Sequence, residues 1–331
     1  MFDPVRLGDP AAAGSPRYPL TQRTMKSQTL KPILTHKLLL FTCLLALPAI
    51  TQAQPTAHYV PGVEGIKGAS LPPPGIYFRD YNYFYTADQL NDAAGNKIAP
   101  ADLDAFTYGN IPRVLWITDT RFLGGFVGVD ALLPLVYQQA SANTAPPRFN
   151  NSTFGVGDLF AEGTLSWHLN QFDFSVGSGV WAPTGNSPTS PGPSTMPGQG
   201  YWDFMQTAGA TWYIDTNKTW AVSALNRYEF NTEQRHTHIS PGQAYTLEWG
   251  ISKTLAQVID VGPVGYYQQK VTTDRGPGAS GARDRVAAVG PEINVAFPKP
   301  MLFVSVRYLY EFMAESRAQG QAVTLTLTKR F

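Results

Sequence analysis

The last eleven residues, Gln321–Phe331, read QAVTLTLTKRF. Val323, Leu325 and Leu327 alternate with Ala322, Thr324, Thr326 and Thr328, a period of two that gathers the apolar side chains on one face of an extended strand. The alternation runs up to a terminal aromatic, Phe331, where a soluble domain ordinarily lets its chain end fray. The same period recurs upstream. In MLFVSVRYLYEF (301–312), Leu302, Val304, Val306, Tyr308, Tyr310 and Phe312 share one face, opposite Ser305, Arg307 and Glu311. In VGDLFAEGTLSWHL (156–169), Leu159, Ala161, Leu165, Trp167 and Leu169 oppose Asp158, Glu162, Thr164, Ser166 and His168. In YWDFMQTAGATWYI (201–214), Trp202, Phe204, Ala208, Ala210, Trp212 and Ile214 oppose Asp203, Met205, Thr207 and Thr211. In RVAAVGPEINVAF (285–297), Ala287, Val289, Ile293, Val295 and Phe297 oppose Glu292 and Asn294.

Two surroundings suit such a pattern. In a soluble sandwich the apolar face is the shared core. In an outer-membrane barrel it faces lipid, and the polar face lines the lumen. The segments favour the barrel. Many run well beyond the five or six residues, roughly, of a sandwich strand, and aromatics collect near their ends, as interfacial girdles require. Twelve segments are expected, near 75–87, 112–120, 123–137, 153–169, 172–184, 201–214, 219–232, 243–255, 259–271, 284–297, 301–313 and 320–331. The joints after the even-numbered ones are short, among them DTNK (215–218), AQV (256–258) and PKP (298–300). Those after the first, third, fifth, seventh and ninth are long and polar, as in GNSPTSPGPSTMPGQG (185–200). Short turns on one side and long loops on the other predict an all-β, antiparallel up-and-down transmembrane barrel of about twelve strands. In a closed barrel the last strand must pair with the first, so it cannot fray without exposing an unpaired edge to lipid. Phe331 is then the expected signal to a barrel-assembly machinery.

Residues 25–53, MKSQTLKPILTHKLLLFTCLLALPAITQA, agree with that destination. Lys26, Lys31 and Lys37 precede an apolar run from Leu38 to Leu47 and a small-residue site ending at Ala53, the three parts of a secretory signal. We expect cleavage near Ala53, with Met25 as the start and 1–24 as over-extension. The six basic and two acidic residues of 1–53 set aside, 19 basic and 22 acidic residues remain, a formal net charge of −3. No basic face is implied, which argues against nucleic acid as a partner. The one cysteine, Cys43, lies in the signal, so disulfides and cysteine metal sites are not expected beyond it. Charged residues make up 15% of the chain and aromatics 12%; the charged share is well below the usual quarter or so.

Several stretches carry a more specific pattern: GVEGIKGASLPPPGIYFRDYNYFYTADQLNDAAGNK (62–97), VGDLFAEGTLSWH (156–168), WAPTGN (181–186), GYWDFMQTAGATWY (200–213) and YEFNTEQRHTHISPGQAYTLEWGISK (228–253). In these the chain resembles the bacterial outer-membrane proteins named for the meta-pathway of phenol degradation. The resemblance implies an outer-membrane barrel that lets small hydrophobic or aromatic compounds across. It implies no catalytic residues and no cofactor.

The polar faces nominate Asp130, Asp158, Glu162, Arg227, Glu248, Glu292, Arg307 and Glu311 as lumen or translocation residues, with His168, Asp173, Asp203 and Glu229 on the same parity. The plainer account is that a barrel interior carries polar residues that pair across strands. Acids outnumber bases here, so an open channel would prefer cations. Tyr77, Phe160, Trp181 and Tyr213 are candidates for contact with an aromatic solute. A hydrolase finds little support, since Ser166 and His168, two apart on a strand, sit about 6.8 Å from each other. His236 and His238 in EQRHTHIS are weak metal-ligand candidates in an external loop. Residues 54–74, which include Pro72-Pro73-Pro74, form either a simple lead-in to the barrel of 75–331 or a periplasmic or lumenal plug. An alternative function is a non-transporting surface barrel that works through loops 138–152, 185–200 and 272–284.

Overall fold

The computed structural model describes residues 57–99, 102–142, 149–190 and 194–331. The expected signal, 1–53, lies outside these. Among the described residues no helix is long and apolar enough to cross a membrane, and the chain is built from antiparallel strands. They are Gly75–Leu90 (β1), Leu103–Phe122 (β2), Gly125–Leu132 (β3), Leu135–Ala142 (β4), Phe149–Val156 (β5), Leu159–His168 (β6) and Phe172–Ala182 (β7). Then come Asp203–Tyr213 (β8), Trp220–Asn231 (β9), Ala244–Leu255 (β10), Ile259–Lys270 (β11), Arg285–Phe297 (β12), Leu302–Glu315 (β13) and Ala318–Arg330 (β14).

These fourteen segments form twelve staves. The long β2 pairs with β3 through its second half and with β4 through its first, so β3 and β4 are one stave interrupted at Leu133-Pro134. β5 and β6 are likewise one stave, interrupted at Gly157-Asp158. Proline has no N–H to give to a ladder. At the break Leu133 N donates to Pro112 O at 3.2 Å, and Gly157 N to Pro134 O at 2.8 Å.

The sheet closes on itself. β1 pairs with β2 on one edge and with β14 on the other, from Tyr77↔Arg330 to Leu90↔Ala318. The terminal alternation is therefore the closing seam, with Val323 and Leu327 outward and Ala322, Thr324 and Thr326 inward. The fold is the closed twelve-stranded barrel of the outer-membrane type.

The outside carries two aromatic bands. Trp116, Phe172, Trp212, Trp220, Phe297 and Phe303 ring the end that holds the short turns. Phe84, Phe154, Trp202, Phe204, Phe230 and Phe312 ring the loop end. Two of the short turns have both central residues at positive φ: Leu123 and Gly124 (49° and 81°), and Ala256 and Gln257 (48° and 63°). That is the geometry whose twist matches a two-residue hairpin.

Two expectations need correction. β2 begins at Leu103, nine residues before the expected 112, so the loop after β1 is shorter than expected, at 91–102, and Pro112 lies mid-strand, at the wall's break. β4 and β5 run to Ala142 and from Phe149, into what was read as an external loop at 138–152.

Candidate functional site

The inside of the barrel is occupied by the chain's own residues 57–74. This segment has no strand ladder, so its backbone groups need other partners, and the lumen side chains supply them. At the loop end, His58 N and Tyr59 N donate to Glu229 Oε1 at 2.8 and 2.9 Å. The His58 ring lies between Asp158, at 2.8 Å, and Asp203, at 3.5 Å, and stacks on Trp181. Lower down, Gly62 N and Glu64 N donate to Glu248 Oε1 at 2.8 and 3.1 Å, and Tyr59 OH to Glu248 Oε2 at 2.8 Å. Arg227 bonds the same carboxylate and lays its guanidinium 3.9 Å from the Tyr59 ring centre.

At mid-lumen, Ile66 N donates to Glu292 Oε2 at 2.8 Å, and Arg307 Nη1 to Gly62 O at 2.7 Å. Glu292 and Arg307 hold each other through two bonds, at 2.9 and 3.0 Å. Near the turn end, Ser175 Oγ donates to Ala69 O at 2.8 Å, Lys67 Nζ meets Asp260 at 2.9 Å, and Tyr77 OH donates to Pro73 O at 2.7 Å.

Glu64, which lies outside the spanning strands, is the segment's own acid. It accepts from Tyr81 OH at 2.6 Å and from Arg79 and Arg113 at 3.2 and 3.1 Å. Burial pushes its carboxyl up, but the Arg79 and Arg113 guanidiniums outweigh burial and bring it from 4.5 down to about 2. Because the folded value lies below the unfolded one, Glu64 favours the seated segment in full above about pH 4.5. That contribution fades as pH falls through about 2. Bilayer recordings should therefore show more frequent openings on acidification across that window, and Glu64→Gln should open already at neutral pH and lose the response. An unchanged acid response in Glu64→Gln would assign it to other carboxylates.

Gly65 shows how tightly the segment sits: a Cβ there would lie 1.8 Å from Glu292 Oε2 and 2.5 Å from Arg307 Nε. Glu292 is pinned by Arg307, Ser305 and Ile66 N, so it has little room to give. Gly65→Val should unseat the segment and produce openings in a barrel that still folds, as judged by heat-shifted mobility on gels. A folded but silent Gly65→Val would mean the seat yields elsewhere.

Cavities remain around the segment. One of about 320 Å³ opens at the turn end beside Lys67, Pro73, Tyr77 and Arg79. Another of about 260 Å³ lies under the loops, beside Gln199, Gln268 and Arg317. Between them, a cavity of about 130 Å³ is lined by Val60, Val63, Tyr81, Tyr83, Ile111, Leu132, Phe160, Trp181 and Met205, and it reaches the wall at Pro134 and Pro197. Among the described residues β5 has a ladder on one edge only, and its other edge meets the 183–200 loop through Thr153 Oγ1 and Thr195 Oγ1 at 2.9 Å.

With this geometry in place, comparison with known proteins becomes informative. Residues 87–327 match the family described as "Putative MetA-pathway of phenol degradation". The chain belongs to this family. Among solved structures, it resembles the COG4313 outer membrane channel from Pseudomonas putida F1. The TM-score is 0.70 at 16% identity, over 82% of this chain and 100% of that one. It also aligns with the translocator domain of the autotransporter NalP from Neisseria meningitidis (TM-score 0.47, 12% identity, 80% and 92% covered). At these identities the likeness is one of fold. A comparison with curated proteins found no match.

Family membership leaves the site to be read from the structure. Of the sequence-nominated residues, Asp158, Arg227, Glu248, Glu292 and Arg307 all touch the N-terminal segment. Asp130 and Glu162 lie one step behind it, around Arg113, at 2.9 and 3.6 Å. Glu311 does not touch the segment; it accepts from Tyr266 and Tyr85 at 2.7 and 2.9 Å near the loop end. Phe160 and Trp181 pack together at 4.7 Å, whereas Tyr77 and Tyr213 lie at the opposite, turn end.

His168 sits at the turn-end rim, 3.1 Å from Asp173, and is not bonded to Ser166, whose buried Oγ has no partner. His238 bonds Glu233 at 2.7 Å in an exposed loop, and no group of three metal-type ligands is assembled among the described residues. Asp203 and Glu229 are fully buried side by side, with the His58 ring 3.5 Å from Asp203.

Sequence reasoning missed Arg79, Arg113 and Glu64. Arg113 lies at the start of the expected strand 112–120. Glu64 is the one acid of the described segment 57–74, a signal that was available.

Proposed function

We propose that this protein carries small hydrophobic, aromatic compounds across the outer membrane, with residues 57–74 acting as a lumenal plug. The observation that supports it is a contrast. The polar axis of the barrel is filled by the segment, whose bonds consume the charged groups a hydrophilic channel would need. The apolar cavity at Phe160 and Trp181, in contrast, sits behind the interrupted staves at Pro134 and Gly157. An apolar solute gains nothing from a water-filled bore, and a side entry through the wall suits it better. In this reading the short turns and both strand termini face the periplasm, and Phe331 addresses the chain to the assembly machinery.

The test is a pair of measurements on the refolded protein. Planar bilayers should show little ion conductance, while vesicles containing the protein should take up an alkylphenol faster than protein-free vesicles. Equal uptake with and without protein would defeat the reading. A second reading, a barrel that works by surface binding, draws on the tied external loops. Arg235 N donates to Gly200 O at 3.0 Å, and Gly242 N to Asp274 Oδ1 at 2.8 Å. It would be favoured if uptake were absent from a folded protein.

A further inference from the structure

We infer that the cavity behind Pro134 binds one uncharged six-membered ring bearing a single hydrogen-bonding oxygen, and that Met205 sets the one-ring limit. The inference rests on the transport reading above and narrows its solute.

Size comes first. An apolar cavity of about 150 Å³ holds one benzene ring, and this one measures about 130 Å³. Its walls are Ile111, Leu132, Phe160, Trp181 and Met205, closed from the axis by Val63 of the plug. Phe160 and Trp181 are tilted 38° to each other, which leaves an aromatic face and edge for a flat guest. A fused second ring cannot enter without moving a wall. Among these residues Met205 is the unbranched, adaptable one, and it is buried.

Charge comes second. Arg113 and Arg227 reach this cavity, but so do Asp158 and Glu162. Both guanidiniums are already committed, Arg113 to Asp130 at 2.9 Å and Arg227 to Glu248. An anionic ring would have to be desolvated without finding a free cation.

The oxygen follows from what is left unbonded. Four buried polar atoms on lining residues have no hydrogen-bond partner: Trp181 Nε1 and Arg227 Nε, both donors, Glu162 Oε1, an acceptor, and His58 Nδ1, which faces Asp203 at 3.5 Å. Buried polar atoms are nearly always paired, so each exception needs a reason. A hydroxyl both accepts and donates, and one hydroxyl on a ring can meet an indole or guanidinium N–H together with a carboxylate. A plain hydrocarbon ring meets none of them.

The experiment measures binding to the full mature protein in lipid nanodiscs, with empty nanodiscs subtracted. The probes are p-cresol, toluene, 2-naphthol and benzoate. We expect saturable binding of p-cresol, about tenfold weaker binding of toluene, and none of 2-naphthol or benzoate. Trp181→Phe, which keeps a ring and removes the N–H, should bring p-cresol down towards toluene. Met205→Ala should admit 2-naphthol; both variants are first checked for heat-shifted mobility. Benzoate binding as tightly as p-cresol, or 2-naphthol binding to the unaltered protein, would overturn the inference. So would an undiminished p-cresol preference in Trp181→Phe. Vesicle uptake of p-cresol separates the two readings. Uptake without saturable binding removes this site and leaves transport standing; binding without uptake does the reverse.

Discussion

Removing residues 57–72 should convert an electrically quiet barrel into an open one, with conductance rising by roughly an order of magnitude. An eight-stranded barrel is about filled by its own side chains, and twelve strands enclose more than that. Here the surplus is taken up by the N-terminal segment, which bonds to side chains of β1, β7, β9, β10, β11, β12 and β13, among others. Without it that volume fills with water, because the groups left behind are polar. The charges left behind also set the selectivity. Asp158, Asp203, Glu229 and Asp260 lose His58, Lys67 or the backbone N–H groups they now face. Among the strongly engaged bases, Arg79 loses Glu64, while Arg113 keeps Asp130 and Arg307 keeps Glu292. Freed acids outnumber freed bases, so the reversal potential in a salt gradient should report a cation preference. A truncated protein that folds, shifts on heating and still conducts no better than the full chain would show that the wall's side chains close the bore unaided.

The wall of this barrel was legible in the sequence because its period of two is imposed twice over, by lipid outside and by polar partners inside. Arg307, Glu311 and Glu292 fall inward and Val306, Tyr310 and Ile293 outward, as the alternation requires. The reading failed where that double constraint is relaxed. Residues 103–112 lie beyond the outer aromatic band for part of their length and include Gly109, Asn110 and Pro112, whose composition imitates a loop although β1 holds them in register from Ala105 to Pro112. The site was half legible. Its inward charges announced themselves by parity, but their common purpose did not, because their partners are mostly backbone N–H groups of a segment that has no periodicity of its own. Gly62, Gly65 and Gly68 in GVEGIKG give no periodic signal. In the structure Gly62 takes φ +85°, and Gly65 lies too close to Glu292 and Arg307 to carry a side chain.

Arg113→Ala should destabilise the barrel by about 3–5 kcal/mol, the cost of stranding a buried partner charge. The Arg113 guanidinium gives two bonds to Asp130, at 2.9 and 3.0 Å, and one to Glu64 at 3.1 Å, and it lies 3.6 Å from Glu162. Asp130 and Glu162 are opposite each other in the β3–β6 ladder, so this one cation separates acids that would otherwise face one another. Its removal leaves three carboxylates in a poorly solvated interior. Arg113→Lys should recover only part of the loss, because an ammonium cannot make the planar two-bond contact. Arg113→Met combined with Asp130→Leu should recover more, because the stranded charge goes with its partner. Urea unfolding in lipid vesicles, followed by tryptophan fluorescence, gives the three differences. If Arg113→Ala unfolds no more readily than the unaltered chain, water reaches these acids freely, and the plugged, poorly hydrated lumen must be given up. If the loss appears and the double substitution restores it, the barrel and its plug share one electrostatic unit. Glu64 would then seat the segment on the same cation that holds the wall.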